Sequence, residues 1–259
     1  MVTVIAHRGA SAYAPENTLA AIDEAARRGA DMVELDVRLS ADGELVVLHD
    51  PTLGRTSDAR LRFPDRHPWN ASDFTLAELR ELDAGSWFDR RFAGEPIPTL
   101  RQALDRLRAL ELGVLLEVKA SRGTAPSAEH LLAELAADPY WLAATPGRPR
   151  LILQSFCWDL VGTVKRRLPW VSTAVLGRAH GQRGLGQVSA YADLVNPHFL
   201  RVNAPYVRQV RGHGMRVFAW TVNRRRFIRK MIRDGVDGVI SDYPDVVAAE
   251  FAAAGAAVR

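Results

Sequence analysis

One cysteine, Cys157, stands in 259 residues. This rules out an internal disulfide and any metal cage built from several thiolates. Flanked by Phe156 and Trp158, it is expected to be a buried, structural thiol. Lysine is scarce too: Lys119, Lys165 and Lys230 are the only ones, so arginine carries the net charge of +4. Apart from Arg224-Arg225-Arg226 the basic residues are scattered, and no basic-aromatic alternation marks a nucleic-acid surface. Mild positive charge does suit a phosphate-bearing ligand. No window approaches about 18 uncharged apolar residues, and the start, MVTVIAHRG, lacks the order of a signal peptide. A cytoplasmic protein without stable membrane insertion is expected. Gly-rich phosphate loops, a Gly-x-Ser-x-Gly elbow and a His-Glu-x-x-His helix are all missing.

What is present alternates between strand and helix. The length of 259 residues fits a single α/β domain over 1–259, a (β/α)8 TIM barrel of about 250 residues. β-branched and apolar runs predict strands at Val2–Ala6, from Met32 to about Val37, and at Val114–Lys119, Leu151–Ser155, Ser172–Leu176, Leu194–Asn196, Arg216–Thr221 and Gly238–Ser241. Helical spacing predicts helices from Thr18 to about Arg28, from Thr99 to about Leu110, and over 127–137, 158–167, 205–213 and 224–233. Eight strands joined by such crossovers indicate a parallel barrel. Residues 51–98, broken by eight prolines and glycines around a helical piece from Thr75 to Leu82, read as an insertion after the second strand. Loops of this kind often roof a site.

Only seven residues, the turn Ala41-Asp42-Gly43 among them, separate Val37 from Leu45, too few for a parallel crossover. An antiparallel arm is expected at Leu45 to Leu48, in a hairpin that places Glu34 opposite His49. Side chains alternate along a strand, so Glu34 and Asp36 share one face and Val33, Leu35 and Val37 the other.

In a barrel, chemistry belongs at the C-terminal ends of the strands. Those ends present His7 and Arg8, then Glu34 and Asp36 with His49 beside them, then Glu117 and Lys119, then Gln154, and later Trp220 and Asn223. Three carboxylates crowded on neighbouring strands repel unless a cation neutralises them, and an all-oxygen set suits one divalent cation, Mg2+ or Ca2+. Glu117 and Lys119, two apart on one strand, could instead pair with each other. Two histidines suit proton transfer near neutral pH, and Arg8 with Lys119 could hold a phosphate. An aromatic face at a strand end, as at Trp220, stacks on apolar ligand groups. The remaining histidines, 67, 130, 180, 198 and 213, read as structural.

These residues resemble the glycerophosphodiester phosphodiesterase family. The resemblance rests on an ordered set: His7-Arg8-Gly9, Glu16-Asn17-Thr18, Glu34-Leu35-Asp36-Val37, His49-Asp50-Pro51, Glu117-Val118-Lys119, Gln154-Ser155-Phe156, Trp220-Thr221-Val222-Asn223 and Gly235-Val236-Asp237-Gly238. The segment from Leu82 to Phe88, closing in Glu95-Pro96-Ile97-Pro98-Thr99-Leu100, is similar to the insertion of these enzymes. Two departures are Ser241, where the family more often has Thr before Asp-x-Pro, and a long polar loop from Ser57 to Phe74. The resemblance implies a barrel in which Glu34, Asp36 and Glu117 bind the metal and His7 and His49 act as acid and base. It implies that Arg8 contacts phosphate, and that Lys119 and Glu16 support the phosphate and the metal shell. The substrate it implies is a small glycerophosphodiester. Two other readings stand beside it: a lipid-directed phosphodiesterase of lysophospholipase D or sphingomyelinase D type, and a non-catalytic barrel that binds phosphate ligands.

Overall fold

A computed structural model of the chain describes residues 2–120, 126, 128–136, 138–143 and 149–255. Nine strands follow in order: β1 (Thr3–His7), β2 (Met32–Leu39), β3 (Leu45–Val47), β4 (Gly113–Val118), β5 (Leu151–Ser155), β6 (Ser172–Leu176), β7 (Leu194–Asn196), β8 (Arg216–Ala219) and β9 (Gly238–Ser241). Their spatial order is β1-β9-β8-β7-β6-β5-β4-β2-β3, with β1 also paired to β2. Eight parallel strands therefore close into a barrel, and β3 hangs outside the ring as an antiparallel arm on β2. The expected architecture, a (β/α)8 barrel with one hairpin, is the one observed.

Alternation along the strands produces two apolar layers. Val33, Leu35 and Val37 of β2 face outward into a cluster with Ile22 and Ala25 of helix Leu19–Arg27 and with Leu100, Leu104 and Leu107 of helix Leu100–Ala109. Ile5, Leu115, Ile152, Leu194, Phe218 and Ile240 point inward and fill the barrel. The barrel centre is thus a solid plug, and polar groups can gather only above it, at the C-terminal ends. Both flanking helices begin as their sequences dictate. Thr18 Oγ1 accepts from Ala21 N, and Thr99 with Gln102 forms a reciprocal capping box. Helix Ala128–Ala136 falls within the expected 127–137, whose two end residues lie outside the described ones. Among the described residues, the helices Gly181–Val188 and Pro244–Ala253 and the four-residue helices Ala59–Arg62 and Pro139–Leu142 add to the expected set.

The hairpin differs in detail from its expectation. Val37 pairs with Val47, Arg38 with Val46 and Leu39 with Leu45, and beyond them only Leu48 N–H donates to the Asp36 carbonyl, at 3.0 Å. Glu34 is consequently flanked by His7 of β1 and Leu115 of β4, while His49 arrives from the segment beyond β3. Arg38 fixes that segment by donating from Nε and Nη2 to the His49 carbonyl, at 2.9 and 2.6 Å.

The insertion carries a small core of its own. Leu53, Phe74, Leu79, Leu82 and Ile97 pack with Val46 and Leu48 from the hairpin arm. Phe63 meets Phe74 edge-on, and Arg66 stacks over Phe74 at 3.8 Å. The Ser57–Phe74 loop, polar by composition, is therefore anchored by its few aromatics. Gly85 is required where the loop folds back, since a Cβ there would lie 1.9 Å from the Phe92 carbonyl oxygen. Asp83 ties the same bend together by accepting from the backbone N–H groups of Gly85, Ser86 and Gly94. Cys157 is half-buried rather than fully buried. Among the described residues, no helix is long and apolar enough to cross a membrane.

Partial burial pushes the Asp83 carboxyl up, but the donated hydrogen bonds outweigh it and bring the pKa down to about 2. Because this pKa is depressed, the stabilisation is present above the ordinary value of 3.8 and is lost as pH falls through about 2. Asp83→Asn is expected to cost about 1–3 kcal/mol at pH 7. Urea unfolding from pH 7 to 2 should show the gap between the two proteins closing with acidification; a gap that stays constant contradicts this.

Candidate functional site

Three acids occupy the polar tier above the barrel plug. Glu34 and Asp36 on β2 and Glu117 on β4 are 2 %, 1 % and 8 % exposed, and each offers an oxygen within 4.8 Å of the others. Asp36 and Glu117 are register partners on adjacent strands, which forces their side chains together. Two cations face them. Lys119 Nζ lies 2.8 Å from Asp36 Oδ1 and 2.5 Å from Glu117 Oε1, and Arg8 Nε lies 3.3 Å from Asp36 Oδ2. The Glu117–Lys119 pairing foreseen from their spacing is present, and it includes Asp36.

In direct contact three acids meet two cations, and Arg38 adds a more distant positive charge acting on Asp36 and Glu117. Burial, then the neighbouring Asp36 and Glu117, push the Glu34 carboxyl well above its usual range. Burial and Asp36 likewise raise Glu117. Asp36 is buried as deeply, but Lys119 and Arg8 outweigh the desolvation and hold it at about 2. Hard oxygen donors converging on an excess of negative charge can hold a divalent metal ion.

The bend from β1 into the first helix brings Arg8 and Glu16 to this tier. Arg8 and Asn17 have positive φ, 55° and 59°, and Gly9 follows at 82°. A Cβ on Gly9 would lie 2.7 Å from the Ala21 backbone, so only glycine fits. The turn aims the Arg8 backbone N–H at Glu34 Oε2 (3.0 Å), and Asn17 Nδ2 at Asp36 Oδ2 (2.9 Å). Glu16 does not join the acids; it accepts from Arg8 at 3.0 Å and from Arg55 at 2.7 and 2.9 Å.

Each of the two candidate histidines has a carboxylate on Nδ1. His7 Nδ1 is 2.7 Å from Asp242 Oδ1, and His49 Nδ1 is 2.7 Å from Asp50 Oδ1. Arg55 bonds Asp50 at 2.5 Å, so His49, Asp50, Arg55, Glu16 and Arg8 form one continuous chain of contacts. Burial, with Lys119 and Arg8 nearby, lowers the His49 pKa despite its carboxylate neighbours.

These groups surround a cleft of about 440 Å³ that eight of the ten candidate residues line. Asp36 lies outside that lining, and Glu16 borders an adjacent hollow beneath the insertion. Gln154, also in the lining, accepts from Asn196 Nδ2 at 2.8 Å. Trp220 donates to the Asn196 carbonyl at 2.7 Å, and Phe156, 57 % exposed, meets it edge-on at 5.7 Å. From the sequence alone Asp50, Arg55 and Asp242 have no role, Asn17 is only a helix-cap residue, and Asn223 is a strand-end polar group without a partner. All but Arg55 lie inside or beside the family-like motifs. Arg55, in the irregular insertion, carries no periodic or motif signal.

The comparisons with known proteins agree with this geometry. Residues 7–246 match the glycerophosphoryl diester phosphodiesterase family. A glycerophosphodiester phosphodiesterase of Caldanaerobacter subterraneus subsp. tengcongensis is 34 % identical over 247 residues, covering 94 % of this chain and 95 % of that protein. Among solved structures, a phosphodiesterase from Oleispira antarctica, in complex with the product sn-glycerol-3-phosphate, is 31 % identical. It superposes with a TM-score of 0.82 over 96 % of both chains. The glycerophosphodiester phosphodiesterase of Agrobacterium tumefaciens is 28 % identical, with a TM-score of 0.79 over 96 % of this chain and 100 % of that one. The ordered motifs, the closed barrel with its hairpin arm and the match over nearly the whole length lead to one assignment: the chain belongs to the glycerophosphoryl diester phosphodiesterase family.

Proposed function

We propose that this chain, working as one barrel domain, hydrolyses small glycerophosphodiesters, converting an sn-glycero-3-phosphoalcohol and water to sn-glycerol 3-phosphate and an alcohol. The observation that carries the proposal is the pair of carboxylate-backed histidines on the cleft that holds Glu34 and Glu117. The product bound by the Oleispira antarctica relative supports the substrate class.

In this reading Glu34, Asp36 and Glu117 hold one divalent cation, Mg2+ or Ca2+, for which their oxygens are the fitting donors. When bound, the ion supplies positive charge that polarises the phosphoryl group. Arg8 and Lys119 add fixed positive charge where the non-bridging oxygens gain negative charge. One histidine takes the proton from the attacking oxygen, and the other protonates the leaving alkoxide. With Nδ1 occupied in both rings, Nε2 is the nitrogen that exchanges the proton. Trp220 forms an apolar wall for the carbon skeleton of the substrate, and Gln154 and Glu16 hold their neighbours in place.

His49→Ala is expected to lower turnover of glycerophosphocholine by about 100-fold or more; near-wild-type hydrolysis would sink the acid-base assignment. Glu34→Gln should weaken Mg2+ or Ca2+ binding by roughly tenfold or more, because affinity follows the number of charged ligands. Titration calorimetry checks this directly, and an unchanged affinity counts against Glu34 as a ligand. In a substrate panel, glycerophosphocholine is expected to outpace lysophosphatidylcholine; the reverse order would favour the lipid-directed reading.

A further inference from the structure

Beyond the cleft wall lies a hydrogen-bond relay whose direction is fixed by groups that only donate. Tyr243 N–H donates to Ser241 Oγ at 3.1 Å, which turns the Ser241 proton toward Asn223 Oδ1 at 3.0 Å. Asp242 N–H donates to the same Oδ1 at 3.0 Å. Holding two donors, the Asn223 amide has one orientation, and its Nδ2 meets Asp242 Oδ2 at 2.5 Å. The other carboxylate oxygen, Asp242 Oδ1, takes His7 Nδ1 at 2.7 Å and Ser11 Oγ at 3.0 Å.

We propose that Asp242, oriented by Asn223 and Ser241, is a positioning residue that locks the tautomer of His7, with hydrogen on Nδ1 and the reacting position on Nε2. The proposal rests on the proton-transfer role given to His7 above. An ionised carboxylate only accepts, so the ring nitrogen facing it carries hydrogen. Burial raises the Asp242 carboxyl, yet the bonds from His7, Asn223 and Ser11 bring it below its ordinary range, consistent with an acceptor at neutral pH. The lock serves His7 as acid or as base, since both forms keep hydrogen on Nδ1 and lose or gain the other proton at Nε2. Ser241 supplies the one hydroxyl the relay needs, and threonine carries the same hydroxyl.

The relay makes Asp242→Asn more than a loss of charge. The new amide cannot turn its NH2 toward Asn223, whose own NH2 occupies that side and whose Oδ1 is held by two donors. It must present its carbonyl there and its NH2 to His7 Nδ1, moving the ring proton to Nε2. Adding Asn223→Asp reverses this. The carboxylate at 223 accepts from the 242 backbone N–H, from Ser241 and from the 242 amide, which then turns its carbonyl back to His7.

The test compares wild type, D242N and N223D/D242N, all metal-loaded, by 15N NMR of labelled histidine and by steady-state hydrolysis of glycerophosphocholine. Expected are the Nδ1–H signature for His7 in wild type, Nε2–H in D242N, and return of Nδ1–H in the double variant. Turnover should fall by about 10²–10⁴-fold in D242N, the scale for a histidine in the wrong tautomer, with KM little changed. It should recover to within about tenfold in N223D/D242N. Retention of Nδ1–H in D242N, or a folded double variant no more active than D242N, overturns the proposal. A separate His7→Ala variant with near-normal turnover would refute the catalytic role of His7 and leave the lock to stand or fall on the NMR signature.

Discussion

The constraint that shapes this molecule is the burial of three carboxylates on two adjacent parallel strands. A closed barrel of eight short strands has a packed apolar interior, so the charges of Glu34, Asp36 and Glu117 can be placed only at its upper rim. Even there they are almost wholly removed from water, and leaving such charge unpaired is costly. Much of the surrounding architecture can be understood as compensation. Lys119 reaches back from the end of β4, the β1 turn adopts left-handed backbone angles to bring Arg8 over the site, and Asn17 donates to Asp36.

The compensation is incomplete, and that shortfall connects stability with function. Burial and mutual repulsion keep Glu34 and Glu117 strained toward their neutral forms, while a divalent ion would add positive charge to the site and draw in a phosphodiester anion. The histidines are supported from distant parts of the chain, which reach the site on either flank of β1. His7 is held from the loop after the last strand, His49 from the hairpin arm and the insertion through Asp50, Arg55 and Glu16. Closing the barrel and seating the insertion are thus prerequisites for placing both rings.

Much of this was legible in the sequence, and for identifiable reasons. The runs at Leu151–Ser155, Ser172–Leu176 and Gly238–Ser241 are dense in apolar residues, and the observed strands match them residue for residue. His7, Arg8, Glu34, Asp36, Glu117, Lys119 and Gln154 stood out because polar groups at strand ends conflict with the apolar runs that carry them, whereas Glu16 rested on the family resemblance alone. Helix Gly181–Val188 was not: three glycines give it poor intrinsic propensity, and burial of Leu185 and Val188 sustains it. The pairing of Glu34 with His49 failed because the register ends at Val37 and Val47, with one more bond from Leu48 N–H to the Asp36 carbonyl, and Arg38 then captures the His49 carbonyl. Asp242 and Arg55 act through contacts 235 and 39 residues away in sequence, and such distant partners leave no local pattern.

The central claim is that the acid cluster functions as a metal site for phosphodiester cleavage. The most direct measurement is hydrolysis of glycerophosphocholine by chelator-treated protein before and after Mg2+ or Ca2+ is restored. The account predicts that activity is lost on treatment and returns with one equivalent of ion bound per chain. Undiminished hydrolysis by protein shown to be free of metal would contradict it.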